Sequence, residues 1–337
     1  MVQTTKLGGS AKDIVVAKVG TGLMRITATD TSVSDEQAFE AIKASIDIVP
    51  AGAKMLLNSA QFYANDLGTA NLELLARFFD KYPGYAEKVF LSVKGGMKPN
   101  SFDTDPSPEG LRTSVELCVK ALRGTKKIDL FENARVSRTT PIPEQMKALK
   151  GLISEGLFDH IGLSECSAAT IREAYEHAPI AAVEIEVSPW AYEEETKKVI
   201  ATCAELDIAV VAYSPLGFGF LTGELKLTDK DNRGHLTRLQ GEHLDNNLKL
   251  VEALKAVAAK KGITAAQLCL AWVAALGEHV IPLPGSSKAS RVIDNIQTSD
   301  IKLTSDELAA IDRVLVEYPV SGARYWAGHN EKLQLWG

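Results

Sequence analysis

The amino-acid sequence predicts a single-domain α/β fold built as one closed (β/α)8 TIM barrel, and three observations lead to this prediction. Short apolar runs alternate with amphipathic, helix-like segments along all 337 residues, as expected for a parallel sheet with crossover helices. About eight such units follow one another without a linker or low-complexity stretch between them. The length agrees as well, because such a barrel takes about 250 residues and insertions add more.

The predicted strands are the apolar runs, which have the length and composition of strands that are buried on both faces. They lie at 16–23, 54–60, 89–95, 128–136, 158–164, 181–188, 208–216 and 279–285. Length alone would also allow two domains, and the alternation would also fit a doubly wound dinucleotide-binding sheet. The doubly wound sheet is disfavoured, because Gly20-Thr21-Gly22 lacks the third glycine of the usual phosphate-binding turn and no helix start follows it.

Helix start signals stand before several of the intervening segments. Ser34 and Gln37 have the spacing of a capping box ahead of 38–48, and Ser107-Pro108 places an N-cap and a first-turn proline ahead of the next amphipathic segment. The further helices are predicted at 111–122, 145–155, 170–177, 194–206, 248–261, 265–276, 291–296 and 305–316. All of 1–337 is expected to form one domain, with the barrel at about 14–300 and extra C-terminal elements at 301–337 that include a tail over the barrel mouth.

Composition and charge exclude several function classes. Hydrophobic residues make up 45% of the chain and charged residues 24%, as in ordinary globular proteins. The net charge of −6 argues against nucleic acid or an anionic membrane as a partner, and no apolar run reaches the roughly 18 residues that would span a bilayer. No secretory signal is visible, so a cytoplasmic location is expected. The four cysteines are scattered and no His, Asp and Glu cluster has metal spacing, so we expect neither disulfides nor a metal.

Polar side chains stand where the predicted strands end, which is the edge that carries the chemistry of such barrels. Among them are a tyrosine and a lysine, Tyr63 and Lys94. Taken singly, Tyr63 would be an ordinary packing residue and Lys94 an exposed loop lysine. Together they form a plausible general acid, because a nearby ammonium lowers the pKa of a phenol from about 10. Such a phenol can protonate an oxygen that gains negative charge during hydride addition.

A second local signal is the segment 284–291, which closes the last predicted strand and opens a helix. It contains three hydroxyls, at Ser286, Ser287 and Ser290, and two cations three residues apart, Lys288 and Arg291. Hydroxyls, cations and the free backbone N–H groups of a helix start suit a phosphate monoester. The alternative is a solvated helix N-terminus whose charges bind nothing.

The chain resembles the aldo-keto reductases over nearly its whole length, and among them the fungal pyridoxal reductases most closely. The stretches that carry the resemblance are LNSAQFY (57–63), VFLSVKGG (89–96), 114–137, HIGLSE (160–165), AAVEIEVSPW (181–190), VVAYSPLGFGFLTG (210–223) and IPLPGSSKASRVIDN (281–295). Their order and their positions on the predicted strands agree with the family. The resemblance implies a TIM barrel that binds NADPH, in preference to NADH, in an extended form across the barrel mouth.

The resemblance also implies a role for each matching residue. Tyr63 corresponds to the proton donor and Lys94 to the lysine that lowers its pKa. Ser164 would bind the nicotinamide carboxamide, Tyr213 would stack on the nicotinamide, and Ser286, Lys288 and Arg291 would hold the 2′-phosphate. The other implied cofactor positions are Gly22, Glu184, Ser214, Leu216, Gly219, Asp294 and Asn295.

Three positions depart from the family pattern. Asn58 replaces the catalytic aspartate, so Lys94 is expected to lack a carboxylate partner and to lose its proton more easily. Ala134 stands where the catalytic histidine is usual, and strand alternation would point the neighbouring Asn133 away. Glu165 and Glu184 replace an amide pair at the carboxamide site, so Ser164 would have to supply the hydrogen-bond donor.

The expected activity is NADPH-dependent reduction of a small aldehyde to an alcohol, with pyridoxal to pyridoxine as the specific prediction. A general aldehyde or ketone reductase remains an alternative, as does a cofactor-sensing partner protein like the potassium-channel β-subunits of the same superfamily. The candidate pocket residues are Asn133, Trp190 and Trp326. A small-molecule aldehyde is thus the expected partner, and the sequence does not indicate an oligomeric state.

Overall fold

A ring of eight parallel strands lies at the centre of the computed structural model, which describes residues 1–28, 33–101, 103–136, 139–226, 232–325 and 335–336. The strands in chain order are β1 (Thr4–Lys6), β2 (Val15–Ala17), β3 (Thr21–Gly22), β4 (Met55–Ala60), β5 (Val89–Gly95), β6 (Ile128–Asn133), β7 (Phe158–Ser164), β8 (Ile180–Glu186), β9 (Ala209–Tyr213) and β10 (Val280–Leu283). Strands β3 to β10 pair in sequence order, and a parallel bridge between Gly22 and Gly285 closes the ring. The predicted single TIM barrel is therefore confirmed.

The apolar run 16–23, predicted as one strand, is divided between two sheets. Its first part belongs to β2, which pairs antiparallel with β1 outside the ring, and its last part is β3. Between them the chain passes Gly20, where a Cβ atom would lie 3.0 Å from Leu283 Cδ1 and 3.1 Å from Leu56 Cδ2. A side chain at this position would have to displace both leucines by a few tenths of an ångström, so a glycine suits the crossing.

Helices surround the strands and connect most of them. They are α1 (Met24–Thr27), α2 (Asp35–Asp47), α3 (Ala70–Lys81), α4 (Pro108–Ala121), α5 (Ile142–Ser154), α6 (Ala168–His177), α7 (Glu194–Glu205), α8 (Gly241–Lys261), α9 (Ala265–Ala275), α10 (Ala289–Gln297) and α11 (Ser305–Glu317). In the part of the chain that the structure describes, no helix has the length and apolar composition needed to cross a membrane.

Three helices differ most from the sequence prediction, and the first is α1, which begins at Met24 shortly after Gly22, where no helix start was expected. Helix α8 begins at Gly241, seven residues before the predicted start, and α3 was not predicted at all. The apolar face of α3 buries Leu75 and Phe78, but no side chain caps its first turn, because the Thr69 hydroxyl donates to Glu73 instead.

Strand alternation divides the barrel residues into an inner and an outer set. Outward residues such as Leu57, Leu91 and Phe131 pack against the helices in the larger apolar cluster. Inward residues of the lower barrel, such as Leu56 and Phe90, belong to a separate small apolar cluster. Two residues further along each strand, the same inward direction carries polar side chains. The fold therefore places a polar cluster at the mouth end of an apolar barrel interior.

Candidate active site

The polar cluster in the upper barrel comes from four strands whose inward positions change from apolar to polar near their ends. Leu56 on β4 is followed inward by Asn58, and the corresponding polar residues of β5, β6 and β8 also lie inside the barrel. The members of this cluster are all at most 5% exposed, and they are Asn58, Ser92, Lys94, Glu132 and Glu184. Buried polar groups at this density must satisfy one another by hydrogen bonds and ion pairs.

Lys94 is the centre of this network. Its Nζ donates to Asn58 Oδ1 at 2.6 Å and to Glu184 Oε1 at 2.7 Å. The amide of Asn58 donates in turn to Glu184 Oε2 at 2.5 Å and to Ser92 Oγ at 3.3 Å. The expectation that Lys94 lacks a carboxylate partner is therefore wrong, because Glu184 reaches across the barrel to supply one.

Lys94 retains its proton in this environment. Burial alone would lower its pKa, but the charges of Glu184, Tyr63 and Glu132 and the hydrogen bond to Glu184 outweigh burial, so the pKa lies above the ordinary lysine value. The sequence-based expectation of an easily deprotonated lysine is corrected accordingly. An ammonium therefore lies beside the residue predicted to donate the proton.

Tyr63 follows β4 and is held at the mouth by its backbone. Its carbonyl accepts a hydrogen bond of 2.6 Å from Thr27 Oγ1, which itself accepts from Asn71 Nδ2 at 2.7 Å. The Tyr63 ring is half-buried, and its centroid lies 5.1 Å from Lys94 Nζ. The structure thus brings together the tyrosine and the lysine that the sequence paired.

Opposing effects act on the Tyr63 phenol. Burial raises its pKa most strongly, the Lys94 ammonium lowers it, and the Glu184 and Glu132 charges raise it further, so the net direction is upward. The phenol is therefore protonated at neutral pH, which is the state that a proton donor needs. The adjacent ammonium is the group that can stabilise the phenolate once the proton has left.

Glu132 is a buried carboxyl group that sequence reasoning did not select. Its Oε1 accepts a short hydrogen bond from the Ser92 hydroxyl. Burial and the neighbouring Glu184 charge raise its pKa well above the ordinary carboxyl value. Glu132 therefore holds its proton more tightly than an ordinary carboxyl group, and Glu184 is the carboxylate that pairs with the Lys94 ammonium.

Three residues were predicted at the carboxamide site, and the structure gives them different surroundings. Ser164 ends β7 and is buried. Glu165 has a φ of +53° and turns away from Lys94, so that its Oε1 accepts from the Glu186 backbone N–H at 3.0 Å and from Arg324 Nη2 at 3.1 Å. Since Glu184 and Glu165 are both engaged elsewhere, Ser164 is the member of this set that is left to bind a carboxamide.

The C-terminal tail lies over the barrel mouth, as predicted. Arg324 Nε donates to Glu186 Oε2 at 2.7 Å, and the Tyr325 hydroxyl lies 3.3 Å from that of Tyr213, the predicted nicotinamide-stacking residue at the end of β9. Further along, the Trp336 carbonyl accepts from the Ser167 N–H at 3.2 Å. Trp326, a predicted pocket residue, lies outside the described residues.

The segment predicted to wrap a pyrophosphate has an unusual backbone. Ser214, Phe218 and Gly219 have φ values of +49°, +56° and +94°, and Leu216 is half-buried between them. Arg233 approaches this segment and donates from Nη1 to the Phe218 carbonyl at 2.8 Å. Left-handed residues in this segment turn the chain sharply, and the Gly217 and Gly219 N–H groups donate within the turn to the Ser214 and Leu216 carbonyls, at 2.8 and 2.9 Å.

The predicted phosphate clamp lies at the start of α10. Ser286 is buried and its Oγ accepts from the Lys288 N–H at 3.1 Å, whereas Lys288 and Arg291 are exposed and, within the described residues, pair with no carboxylate. Cations without acidic partners beside a helix N-terminus fit a phosphate group well. Asp294 is exposed and Asn295 buried on the same helix. Gly22, across the seam, donates its backbone N–H to the Pro284 carbonyl at 2.9 Å.

Gln37 also belongs to this region, although the sequence assigned it another task. As predicted, Ser34 Oγ accepts from the Gln37 backbone N–H, at 3.3 Å. The Gln37 side chain does not complete the capping box and instead donates to the carbonyl and hydroxyl oxygens of Ser287, at 3.0 and 3.2 Å. It therefore ties the clamp segment to α2, and a glutamine signals no such role in the sequence.

Two predicted pocket residues are not at the mouth. Asn133 turns outward and donates to Gln145 Oε1 on α5 at 2.8 Å, in agreement with strand alternation. Trp190 is 2% exposed and stacks on Phe220 with a centroid separation of 5.0 Å, so it packs beneath the segment 217–222. Neither residue is placed to contact a substrate in this structure, and both assignments are corrected.

Comparison with known proteins identifies the family to which this site belongs. Residues 18–316 match the model of the aldo/keto reductase family. The chain belongs to this family. A curated relative from Schizosaccharomyces pombe, named a probable pyridoxal reductase, is 35% identical over 92% of this chain and 95% of its own. A second S. pombe relative, an NADP(+) aldo-keto reductase, is 36% identical over 78% of this chain and 80% of its own.

Other members of the family agree in extent and in fold. A probable aldo-keto reductase from Glycine max is 34% identical over 97% of this chain and 93% of its own. Among solved structures, a glycerol dehydrogenase from Gluconobacter oxydans superposes with a TM-score of 0.80 at 23% identity, covering 95% of this chain and 97% of its own. Aldo/keto reductases reduce carbonyl groups with NAD(P)H, and the chain is therefore an oxidoreductase of that type.

Within the described residues, no group of His, Cys, Asp and Glu side chains could hold a metal ion.

Proposed function

We propose that this aldo/keto reductase reduces a small aldehyde to an alcohol with NADPH, and that pyridoxal, converted to pyridoxine, is its substrate. The observation that carries the proposal is the half-buried Tyr63 phenol beside the buried Lys94 ammonium, 5.1 Å from the ring centroid. The choice of pyridoxal draws support from the relative named a probable pyridoxal reductase, which matches nearly the whole chain.

The preference for NADPH draws on the charges at the start of α10. Lys288 and Arg291 have no acidic partner among the described residues, and two such cations with the Ser286 hydroxyl suit the 2′-phosphate that distinguishes NADPH from NADH. Ser164 would hold the carboxamide, and Tyr213 the nicotinamide ring. When bound there, NADPH supplies the hydride that adds to the aldehyde carbon.

The protein's own residues provide the proton. The Tyr63 hydroxyl donates a hydrogen bond to the aldehyde oxygen and transfers its proton as negative charge develops on that oxygen. The resulting phenolate is stabilised by Lys94, whose position is set by hydrogen bonds to Asn58 and Glu184. One hydride at carbon and one proton at oxygen balance the reduction to the alcohol, and solvent then reprotonates Tyr63.

NADPH absorbance, followed with pyridoxal as substrate, tests the proposal directly. We expect pyridoxine as the product by chromatography, and a higher kcat/KM for pyridoxal with NADPH than with NADH. The comparison set is a panel of simple aromatic, lipid-derived and sugar aldehydes. A preference for one of these would overturn the choice of pyridoxal, and tight NADPH binding without turnover of any aldehyde would overturn the proposed enzyme and favour a cofactor sensor.

A further inference from the structure

The pairing of Glu184 with Lys94 spans the barrel. Glu184 lies on β8 and Asn58 on β4, which are four strands apart in a ring of eight and therefore face each other across the lumen. Lys94, on β5, is held between them at 2.7 and 2.6 Å, and the Asn58 amide closes the triangle with its 2.5 Å bond to Glu184. All three side chains are at most 5% exposed.

We propose that Glu184 is the positioning residue that keeps Lys94 charged and oriented towards Tyr63, doing from β8 what a carboxylate at position 58 would do from β4. The proposal rests on the proposed function, because Lys94 acts through the proton that Tyr63 donates. It assigns Glu184 to the proton-donating network, whereas its sequence position implies contact with the cofactor.

No other group facing Lys94 can take over this task. Asn58 contributes an uncharged oxygen, and Tyr63 is a protonated phenol. Glu132 is the remaining carboxyl group nearby, but its pKa is raised, it bonds to Ser92, and it forms no ion pair with Lys94 in the described part of the barrel. Without Glu184, the ammonium would be buried with no counter-charge, and burial favours the neutral amine.

The consequence for the reaction follows from the charge on Lys94. A neutral amine cannot stabilise the Tyr63 phenolate electrostatically, so proton donation weakens when Lys94 loses its proton. In Glu184→Gln the Lys94 pKa falls, and the basic limb of the kcat profile moves to lower pH. We expect kcat at neutral pH to fall about tenfold or more, which is the effect of one pK unit on the donor.

The decisive variant moves the charge back across the barrel. In Asn58→Asp/Glu184→Gln, Lys94 again faces one carboxylate and one amide, with their positions exchanged. This double variant should recover both the Lys94 charge and most of the lost kcat, whereas a merely structural loss in Glu184→Gln would not be repaired by a second substitution. Glu132→Gln is the matched control for the Lys94 charge, because Glu132 lies in the same buried cluster but bonds to Ser92 and forms no ion pair with Lys94 among the described residues.

The Lys94 charge can be measured without turnover. In full-length protein labelled with ¹⁵N-lysine, the Nζ signal missing from Lys94→Met identifies Lys94, and its shift is followed from about pH 6 to pH 9, where an ordinary lysine stays charged. We expect no titration in the wild type, in Glu132→Gln or in the double variant. We expect titration in Glu184→Gln.

Two results would overturn the proposal: a charged Lys94 throughout this range in folded Glu184→Gln, or a neutral Lys94 in the double variant. If Glu184→Gln does not fold, the double variant alone decides, through its Lys94 signal and its pH profile. A wild type that turns over no aldehyde would contradict the proposed function, and the NMR titration would still report whether Glu184 holds the charge on Lys94.

Discussion

Lys288 and Arg291 are the residues at which cofactor choice would be decided. Both are exposed at the start of α10, and beside them the buried Ser286 hydroxyl accepts from the Lys288 N–H. The net charge of the chain, −6, gives phosphates no general attraction, so binding must come from local cations. Gln37 fixes this segment through Ser287, which lowers the conformational freedom that binding would otherwise have to remove.

Replacing these cations should change the affinity for one cofactor only. In Lys288→Met and Arg291→Met we expect the Kd for NADPH to rise about 10- to 100-fold each, the loss of one charged hydrogen bond, with the Kd for NADH unchanged. Fluorescence titration measures both constants. Lys260→Met, at an exposed lysine on α8, is the control and should change neither. An equal rise in the Kd values for NADH and NADPH would show that these residues do not bind the 2′-phosphate.

The sequence paired Tyr63 with Lys94, the proposed proton donor and its lysine, but it assigned Glu184 to another place. Tyr63 and Lys94 were found because polar residues at strand ends must meet at one edge of the barrel. The family resemblance placed Glu184 and Ser164 beside the cofactor, and the two residues do pair in register on neighbouring strands. Strand register determines how far along the barrel axis a residue lies. The partner of a glutamate side chain also depends on which side chains reach across the lumen, and the sequence does not show this.

At the scale of elements, two buried arginines hold the C-terminal tail to the barrel. Arg324 pairs with Glu186 and Glu165, and all three are at most 5% exposed. Arg238 donates to the Trp190 carbonyl at 2.5 Å and to Glu193 at 2.9 Å, and also to the carbonyl of Gly322. These contacts place Tyr325 over the mouth, where it limits the space for a substrate.

Removing Arg324 should release this tail. In Arg324→Gln, Glu165 and Glu186 would lose their buried counter-charge, a change that costs about 3–5 kcal/mol when it cannot be relieved. We expect relief by detachment of the tail, seen as new proteolytic cleavage after residue 317 and a higher KM for the aldehyde. Arg313→Gln, at an exposed position on α11, is the control. A protease-resistant Arg324→Gln with unchanged KM would contradict the tail's role.

Acid should loosen the same region through Glu193. Burial alone would raise the pKa of this carboxyl, but the guanidinium groups of Arg324 and Arg238 outweigh burial and lower it. A carboxyl with a lowered folded-state pKa stabilises the fold above its unfolded value, about 4.3, and this stabilisation is lost as pH falls through the folded-state pKa. Thermal melts from neutral to acidic pH should therefore show a smaller acid-induced decrease in Tm for Glu193→Gln than for the wild type.

Glu194→Gln is the matched control for that measurement, because Glu194 is the next residue and its pairing with Lys197 is exposed to solvent. Exposed pairs contribute little to stability. If the two variants lost the same amount of acid sensitivity, the ion pair of Glu193 with the buried Arg238 would not be its source.

The elements themselves were predictable to different degrees. Seven of the eight predicted strands correspond each to one strand of the ring, because apolar runs of strand length between helices have few alternatives in a parallel sheet. The prediction of a single strand at 16–23 was wrong, because hydrophobicity does not show where a chain passes from one sheet to another. Helix α3 was missed although Thr69, at its N-cap, is a residue type that favours helix starts. Element type followed from the pattern, whereas boundaries depended on tertiary packing.

At the scale of the whole molecule, all four cysteines lie in the apolar packing between strands and helices. They are buried free thiols: Cys118, Cys166, Cys203 and Cys269. Burial raises the pKa of Cys203 and of Cys269 to about 12, so the reactive thiolate is scarce at neutral pH.

Thiol labelling should consequently report global unfolding. We expect no adduct on the native protein within minutes of adding a maleimide, and four adducts by mass spectrometry after denaturation. Labelling under native conditions should accelerate with denaturant, with all four thiols reacting together. Rapid modification of one cysteine in the native protein would contradict the packing of that element.

The central claim is that Tyr63 donates the proton for carbonyl reduction, and single-turnover kinetics test it most directly. Enzyme loaded with NADPH is mixed with pyridoxal, and the loss of cofactor fluorescence is followed in the wild type, in Tyr63→Phe and in Tyr85→Phe, whose phenol bonds to Asp47 away from the barrel mouth. The account predicts a rate roughly 10²- to 10⁴-fold lower in Tyr63→Phe, with NADPH affinity retained and Tyr85→Phe unchanged. An undiminished rate in Tyr63→Phe would contradict it.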